Sequence, residues 1–445
     1  MKSYTNKQVR TGWCMYDWAN SVYSLVITSA IFPTYYKSQT PEMVTFLNME
    51  FVNTALISYV GAFGFLIISL LMPIFSGIAD HYGRKRFFLR LFTTLGSMSC
   101  MALFFFGYYA GLDTSHGLFW TIFFYWFALI CFWLSLVFYN SYLPQIAPPE
   151  EHDKLSAKGF SFGYVGSVIL LGSILFLFMN DYMPIEVAFI LTGLWWFGFT
   201  QWPLKVLPKG RNKYLTDTKI LSKGFRELGY VWSRIKLTKR LKRFTQAFFV
   251  YSMGIQTVMM VAVYFAGKEI DWPTKDEEEM GLIVSILLIQ LIAVPGAYVM
   301  SYLSKKIGNI KALIVVNAFW AVLCASAIFI NTPTEYFVMA AVVGFVMGGI
   351  QSLSRSTYSK FLPEIKDTTT YFSFYDVSEK VGLCIGLFVF AYLEGIGTMN
   401  DAVSNSALSG MRLSVVSLLV FFLAGIVLLL RVPKEEVILP KEEQR

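Results

Sequence analysis

Asp376, Glu379 and Lys380 fall at i, i+3 and i+4 in the run Phe374-Tyr-Asp-Val-Ser-Glu-Lys380, a spacing that places all three side chains on one broad face of a helix. The surrounding residues, 371–393, are apolar enough to cross a bilayer, where an unpaired charge is strongly unfavourable. Two carboxylates and one ammonium brought together there leave one negative charge in excess. The i,i+4 relation assigns the ion pair to Asp376 and Lys380, and leaves Glu379 as a carboxylate able to take up a proton near neutral pH. This chemistry suits a proton- or substrate-responsive site. The same three residues would also serve as a fixed structural brace.

A second polar group lies near the start of the chain. Asp17, Ser21, Ser24 and Thr28 recur at i, i+4, i+7 and i+11, with Asn20 beside them, which draws one polar stripe along an apolar helix. Such groups avoid lipid, so the stripe should face protein or an aqueous cavity. Interhelical hydrogen bonding that only packs the bundle is the alternative. Arg355, with Gln351 and Ser352 one turn earlier, can hold a substrate carboxylate or anchor in a phosphate layer. Gln290, shortly before Pro295, is a further cavity candidate, while Asn317 is expected to bond a neighbouring helix.

Patterns of enzyme chemistry are weaker. Gly159-Phe-Ser161-Phe-Gly163 matches a serine nucleophile pattern and Gly382-Leu-Cys384-Ile-Gly386 its cysteine analogue, but that chemistry needs a strand–turn–helix elbow and a histidine base. Both patterns sit in apolar helical runs, and the three histidines, His81, His116 and His152, fall in loops or at membrane edges. With no HExxH, phosphate-binding loop or metal cluster, no cofactor or metal is expected, and ATP hydrolysis is not the energy source. Close pairs of glycines, Gly159, Gly163 and Gly166, Gly344 and Gly348, and Gly382 and Gly386, allow tight helix contact. They suit surfaces that slide during a transport cycle or static packing equally well.

The elements that position these residues are set by composition. Of 445 residues, 56% are hydrophobic and 15% charged, too few charges for a water-facing surface. Twelve apolar stretches each approach the roughly 20 residues needed to span the hydrocarbon core: 14–36, 53–79, 87–110, 118–140, 160–180, 185–207, 244–267, 280–303, 311–331, 335–354, 371–393 and 413–431. The first should remain in place, since it is too long for a secretory signal and contains Asp17 and Asn20. The net charge of +8 is concentrated in 208–243, where twelve Lys or Arg face two acids. That distribution marks a cytoplasmic loop, not a nucleic-acid-binding surface. With a cytoplasmic N-terminus, 32 of the 37 basic residues lie inside, so both termini are expected in the cytoplasm.

These spans divide the chain into a six-helix half at 1–207, a basic linker at 208–243, a second six-helix half at 244–431 and a charged tail at 432–445. In the linker, Leu221, Phe225, Leu228, Trp232 and Ile235 recur at helical spacing, suggesting an amphipathic helix on the inner leaflet or a flexible connector. Within the halves, Ser76-Gly-Ile-Ala-Asp80-His-Tyr-Gly83-Arg84-Lys85-Arg86 echoes Leu303-Ser-Lys305-Lys306-Ile-Gly308-Asn309-Ile-Lys311, with Gly83 aligned to Gly308 and Arg86 to Lys311. A parallel repeat of this kind is a plan used by transporters.

The loop from Ser76 to Arg86 resembles the loop motif of the major facilitator superfamily, with Asp80, Gly83, Arg84 and Lys85 matching and Ser76 in place of the usual glycine. Tyr16–Tyr23, Tyr139–Pro144 with Gly163–Ser167, Gly348–Ser356 and Phe374–Lys380 resemble its vacuole-effluxer-like branch, whose eukaryotic members are autophagy-related vacuolar amino-acid exporters. The resemblance implies an all-α polytopic protein of twelve transmembrane helices in two pseudo-symmetric halves, with Asp80, Gly83, Arg84 and Lys85 acting in gating. It also implies a cavity lined by spans one, four, seven and ten.

The expected function is secondary transport of a small organic solute, an amino acid or similar, by alternating access with proton coupling, across a bacterial inner membrane. Its partners would be that solute, membrane lipids and protons, without nucleic acid. The aromatic content, 17%, keeps lysolipid movement as an alternative, and the nucleophile patterns keep an intramembrane lipid-modifying enzyme.

Overall fold

A computed structural model describes residues 4–106, 114–210, 220–363, 368–404 and 410–434. Asn6–Val22 (α1) runs without a break through a π-helical stretch, Tyr23–Ile31, into Phe32–Gln39 (α2). An antiparallel hairpin follows, Met43–Phe46 (β1) and Met49–Val52 (β2). The helices Asn53–Tyr82 (α3), Lys85–Ala102 (α4), Thr114–Asn140 (α5), Leu143–Ile146 (α6), His152–Met179 (α7) and Val187–Val206 (α8) come next. Ile220–Leu237 (α9) leads to Lys239–Glu269 (α10), Lys275–Ile307 (α11), Asn309–Ser326 (α12) and Pro333–Phe361 (α13). Thr368–Ser404 (α14), Gly410–Ser417 (α15) and Leu419–Leu430 (α16) complete the described chain.

With α1–α2 and α15–α16 each counted as one rod, these are twelve long helical segments plus α9. Nine of the described segments can cross a membrane on length and composition alone. The other three are α1–α2, α8 and α14, of which α14 carries Asp376, Glu379, Lys380 and Glu394. Several helices outrun the apolar windows: α7 begins at His152 and α14 covers 37 residues. At about 1.5 Å per residue, some 20 residues already cross the hydrocarbon core, so the surplus turns carry polar residues beyond it. Those turns hold much of the chemistry below.

Two local features depart from the sequence reading. The π-helical stretch bonds with an i→i+5 period, and Ser29 Oγ donates to Ser24 O at 3.1 Å within it. The 3.6-residue spacing that aligned Ser24 and Thr28 with Asp17 therefore lapses after Val22. The hairpin was not legible as strand in an otherwise helical chain. Its two-residue loop, Leu47 and Asn48, has φ of 50° and 63°, the paired positive values of the tight hairpin turn.

Gly83 and Gly308, aligned in the sequence, both adopt positive φ, 64° and 85°. At Gly83 the left-handed conformation ends α3, and Arg84 N–H bonds Ala79 O at 2.9 Å, so α4 starts two residues later. Within the linker, Ile220–Leu237 forms the helix α9, with Val231 and Ile235 buried. Trp232, expected on the apolar face, is 44% exposed, although its ring lies 5.2 Å from Phe374. Leu221, Phe225 and Leu228 have side chains outside the described set. The cations from Lys239 to Arg243, read as linker, form the first turn of α10.

Two compact units emerge from the chain. Unit 1 contains Met1–Ala147, Phe162–Leu228 and Lys366–Ser373; unit 2 contains Pro148–Ser161, Gly229–Ile365 and Phe374–Arg445. In unit 1, Trp18 stacks on Trp195 at 5.5 Å and receives the Trp195 indole N–H on its carbonyl. A methyl group on Gly163 would collide with Ser21, and one on Gly166 with Trp18, so these glycines set how closely α7 approaches α1. In unit 2, methyl groups on Gly296, Gly344 and Gly348 would strike the carbonyls of Phe345, Ile289 and Ala293. Helices α11 and α13 thus cross backbone to backbone, as small residues permit.

Candidate functional site

In unit 1, the Asp80 carboxylate receives the first turn of α14. Thr370 N–H donates to Oδ2 at 2.8 Å, Thr370 Oγ1 to Oδ2 at 3.0 Å and Thr369 Oγ1 to Oδ1 at 2.7 Å. Free N–H groups at a helix start attract an anion. Lys85 Nζ sits 3.2 Å from Asp80 Oδ1 and donates to Thr368 Oγ1 at 2.7 Å. Thr368 Oγ1 in turn donates to Ser141 O at 2.9 Å, and Gln145 Nε2 reaches it at 3.1 Å. The two motif charges are therefore compensated by each other and by three consecutive threonines. Gly83 makes the turn that brings Asp80 and Lys85 together, and Arg84 is the N-cap residue of α4. Arg86 donates to Leu207 O at 3.2 Å, at the end of α8, where a cation suits the exposed carbonyls.

Unit 2 contains a similar arrangement with the acid on the helix start instead of the loop. Here the acid is Asp153, in the first turn of α7. Its Oδ2 lies 2.6 Å from Lys360 Nζ and accepts from Ser304 Oγ at 2.7 Å, while Oδ1 accepts from Asn309 Nδ2 at 2.8 Å. Lys360 Nζ also donates to Asn309 Oδ1 at 3.0 Å, and Asn309 Nδ2 reaches Thr357 Oγ1 at 3.0 Å. Ser304 and Asn309 flank Gly308, the counterpart of Gly83. In unit 1 the loop supplies the acid and the helix start supplies the hydroxyls. In unit 2 the helix start supplies the acid, and the loop and the end of α13 supply the donors.

Arg355 reinforces this second contact. Its Nε donates to Ser156 Oγ at 2.9 Å and its Nη2 to Ser156 O at 3.0 Å, with the guanidinium 4.1 Å over the Phe160 ring. Ser156 Oγ donates to Ser352 O at 2.9 Å. At 3% exposed, Arg355 is a clip between α13 and the start of α7, and neither a phosphate-layer anchor nor an open carboxylate receptor describes that position.

The charged face of α14 is also in unit 2. Lys380 is 1% exposed and Asp376 3%. Lys380 Nζ lies 3.2 Å from Glu379 Oε2, and Gln256 Nε2 donates to Glu379 Oε1. The lysine thus engages Glu379, an acid that i,i+4 spacing does not pair with it. Adjacent side chains can meet when a long lysine folds back, and Gln256 on α10 holds the acid in place. Nearby, Tyr251 and Ser354 share a hydrogen bond of 2.8 Å, and Tyr375 stacks on Phe248 at 4.1 Å.

The α1 candidates divide. Asp17 Oδ2 accepts from Tyr139 Oη at 2.6 Å, and Tyr139 stacks on Trp13 and Tyr16 at 4.6 and 4.8 Å. Asn20 is buried with its Nδ2 lacking a hydrogen-bond partner among the described residues, and Ser21 Oγ approaches Asn20 Oδ1 at 3.5 Å. Ser24 is exposed in the π-helical stretch. In unit 2, Gln290 Oε1 is buried and lacks a partner among the described residues, while Gln351 Nε2 donates to Met259 Sδ at 3.4 Å. Asn317 Nδ2 turns back to Leu313 O within α12. Ser161 lies inside continuous α7 with its hydroxyl on Ala157 O at 2.8 Å, and Cys384 inside α14. Neither pattern forms a nucleophile elbow.

Thr368–Thr370, Asp153, Asn309, Lys360, Tyr139 and Gln256 have roles in these contacts that the sequence does not assign to them. Some signals were present: three hydroxyl residues before an apolar run are helix-start chemistry, as are Pro149 and the acids after it. Nothing local names the partners, which lie 207 residues away for Asp153 and Lys360, and 289 for Asp80 and Thr369.

Twelve helical spans with these paired helix-start contacts describe a secondary transporter of the major facilitator type. The chain belongs to the Atg22-like vacuole effluxer family, whose model matches residues 5–438. It is 28% identical over 446 residues to the MFS-type transporter YxiO of Bacillus subtilis, covering 98% of this chain and 96% of that one. It is also 28% identical over 292 residues to autophagy-related protein 22 of Eremothecium gossypii, covering 61% of this chain and 54% of the fungal protein. Among solved structures, it resembles a bacterial homologue of the iron transporter ferroportin in an outward-facing state, with a TM-score of 0.67 at 11% identity over 97% of this chain and 100% of that one. Family and fold are those of membrane transporters, which sets aside the enzyme alternative.

Proposed function

We propose that this transporter moves a zwitterionic solute of the amino-acid class by alternating access, coupled to protons, between two six-helix halves at 1–207 and 244–431. The observation that carries this reading is the Lys380–Glu379 pair, a buried ammonium held by an acid that Gln256 also holds. Desolvated charges are tolerated when paired. A zwitterion can replace that pairing, offering its carboxylate to Lys380 and its ammonium to Asp376 or Glu379. Proton uptake by Glu379 removes its negative charge, loosens its hold on Lys380 and frees the lysine for the incoming carboxylate. Proton and solute then bind together. Asn20 and Gln290, each with a buried amide atom unmatched among the described residues, are the polar groups available to a bound solute. Gln351, Ser21 and Ser24 are secondary candidates, and Asp17 acts through Tyr139 as a positioning group.

The contacts at Asp80 and Asp153 join residues from both halves of the sequence and must release for the halves to rock. Arg355 and the turn Gly83-Arg84-Lys85 belong to these latches. The basic segment 208–243 supports a cytoplasmic side for both termini and the latches, and a bacterial inner membrane is the membrane proposed.

Purified protein in liposomes preloaded with unlabelled amino acids should accumulate the matching labelled amino acid by exchange, and Lys380→Ala should abolish it. Exchange of no amino acid, with exchange of an uncharged sugar or a lysolipid instead, contradicts the substrate class.

A further inference from the structure

We propose that the elbow between α9 and α10 is a binding site for the phosphate headgroup of an anionic phospholipid. Lys236, Leu237, Lys239, Lys242, Arg243 and Gln246 line a cavity of about 360 Å³. Four of those six side chains are cations and none is a carboxylate. The helix breaks at Thr238, with φ −91° and ψ 92°, so the last turn of α9 and the first of α10 contribute cations to one concavity. Among the described residues, none of the four forms an ion pair with an acid. Like charges gathered without a counter-charge repel, and a phosphate oxyanion relieves this.

A lipid, as opposed to a soluble phosphate, is the occupant favoured by what flanks the cavity. Val231 and Ile235 hold α9 against the protein and leave Tyr230 and Trp232 46% and 44% exposed. Arg234 lies 5.1 Å over the Tyr230 ring, and Lys236 Nζ lies 5.0 Å over the Trp232 ring. Exposed amphipathic rings beside cations suit the level of lipid headgroups, and basic pockets beside membrane-crossing helices suit anionic ones. A soluble anion would gain nothing from the aromatic rim. Arg243 also donates to Arg431 O at the end of α16, so an occupied site would tie α9, α10 and α16 together. This inference rests on α9 lying at the membrane surface and is independent of which solute is carried.

The test uses the full-length protein in a neutral detergent, with dioleoylphosphatidylglycerol, dioleoylphosphatidylcholine or inorganic phosphate added. Retained lipid is counted by native mass spectrometry, and melting temperature is followed in parallel. Phosphatidylglycerol should be retained and raise the melting temperature, whereas phosphatidylcholine and phosphate should do neither. The double variant Lys239→Ala/Lys242→Ala should bind phosphatidylglycerol about ten- to thirty-fold more weakly. Lys305→Ala/Lys306→Ala, which removes two exposed cations at the end of α11, should bind it as the parent does. Lys242→Arg, which keeps the charge, guards against a folding defect and should also bind as the parent does. Equal retention of both lipids, undiminished binding by the first double variant, or an equal loss in the second would overturn the proposal. A shift with inorganic phosphate matching that with phosphatidylglycerol would overturn the lipid assignment.

Discussion

The Asp153 carboxylate and the Lys360 ammonium meet at 2.6 Å, although 207 residues separate them in sequence. The acid side chain is 1% exposed and the lysine 18%, and Asn309 bonds both partners. With the Asp80 contact in the other unit, it makes a pair in which loop and helix start exchange the roles of acid and donor. Ser304, Asn309 and Lys360 all converge on the Asp153 carboxylate, and that has measurable consequences.

Removing one member of a buried pair leaves the other without compensation, at a cost of about 3 kcal/mol or more. Asp153→Asn and Lys360→Met should each lower the apparent melting temperature by several degrees, and the double variant should lose less than the two losses combined. Strict additivity in that cycle means that the 2.6 Å contact is energetically idle.

At Asp80, conversion to Asn keeps an acceptor for the Thr370 N–H but removes the charge facing the helix start and Lys85. The helix-end interaction alone is worth roughly 0.3–1 kcal/mol, so the contact should open more often and the protein should still fold. Ser141 is fully buried and bonded to Thr368. In a cysteine-free background, Ser141→Cys should react faster with maleimide when Asp80→Asn is present. An unchanged rate removes Asp80 from the latch.

Arg355→Lys retains charge but not the two-pronged hold on Ser156. If Arg355 clips α13 to the start of α7, this variant lowers both thermal stability and maximal transport rate, with KM for the solute unchanged. A raised KM at unaltered stability would make Arg355 a substrate ligand instead.

Orientation is tested at two exposed positions, Thr334 and Lys306, near the starts of α13 and α12. A single cysteine at Thr334 should label from outside intact cells, and one at Lys306 only after permeabilisation. The reverse result inverts the topology.

Much of the fold was legible because apolar length is a strong local signal, and because Gly83 and Gly308 mark equivalent turns. The Asp376, Glu379 and Lys380 cluster was legible for the same reason, as charges where lipid tolerates few. The Lys380–Glu379 contact was not, since i,i+4 spacing says nothing of Gln256, which approaches Glu379 from another helix. The α1 stripe was partly misleading: the π-helical stretch changes the period at Tyr23, and no residue type announces that change. Asp153 looked like an ordinary acid at a helix start. Only the fold brings Ser304, Asn309 and Lys360 to it, so its role belongs to tertiary structure.

The most direct test of the account compares Glu379→Gln with the parent protein in proteoliposomes, measuring solute accumulation under an imposed pH gradient and exchange between equal pools without one. The account predicts that the parent does both, and that Glu379→Gln loses gradient-driven accumulation while retaining exchange, because the amide cannot take up the proton yet still leaves Lys380 available to the solute. If Glu379→Gln accumulates solute under the gradient as the parent does, Glu379 is not the coupling group and the charged face of α14 is a structural brace.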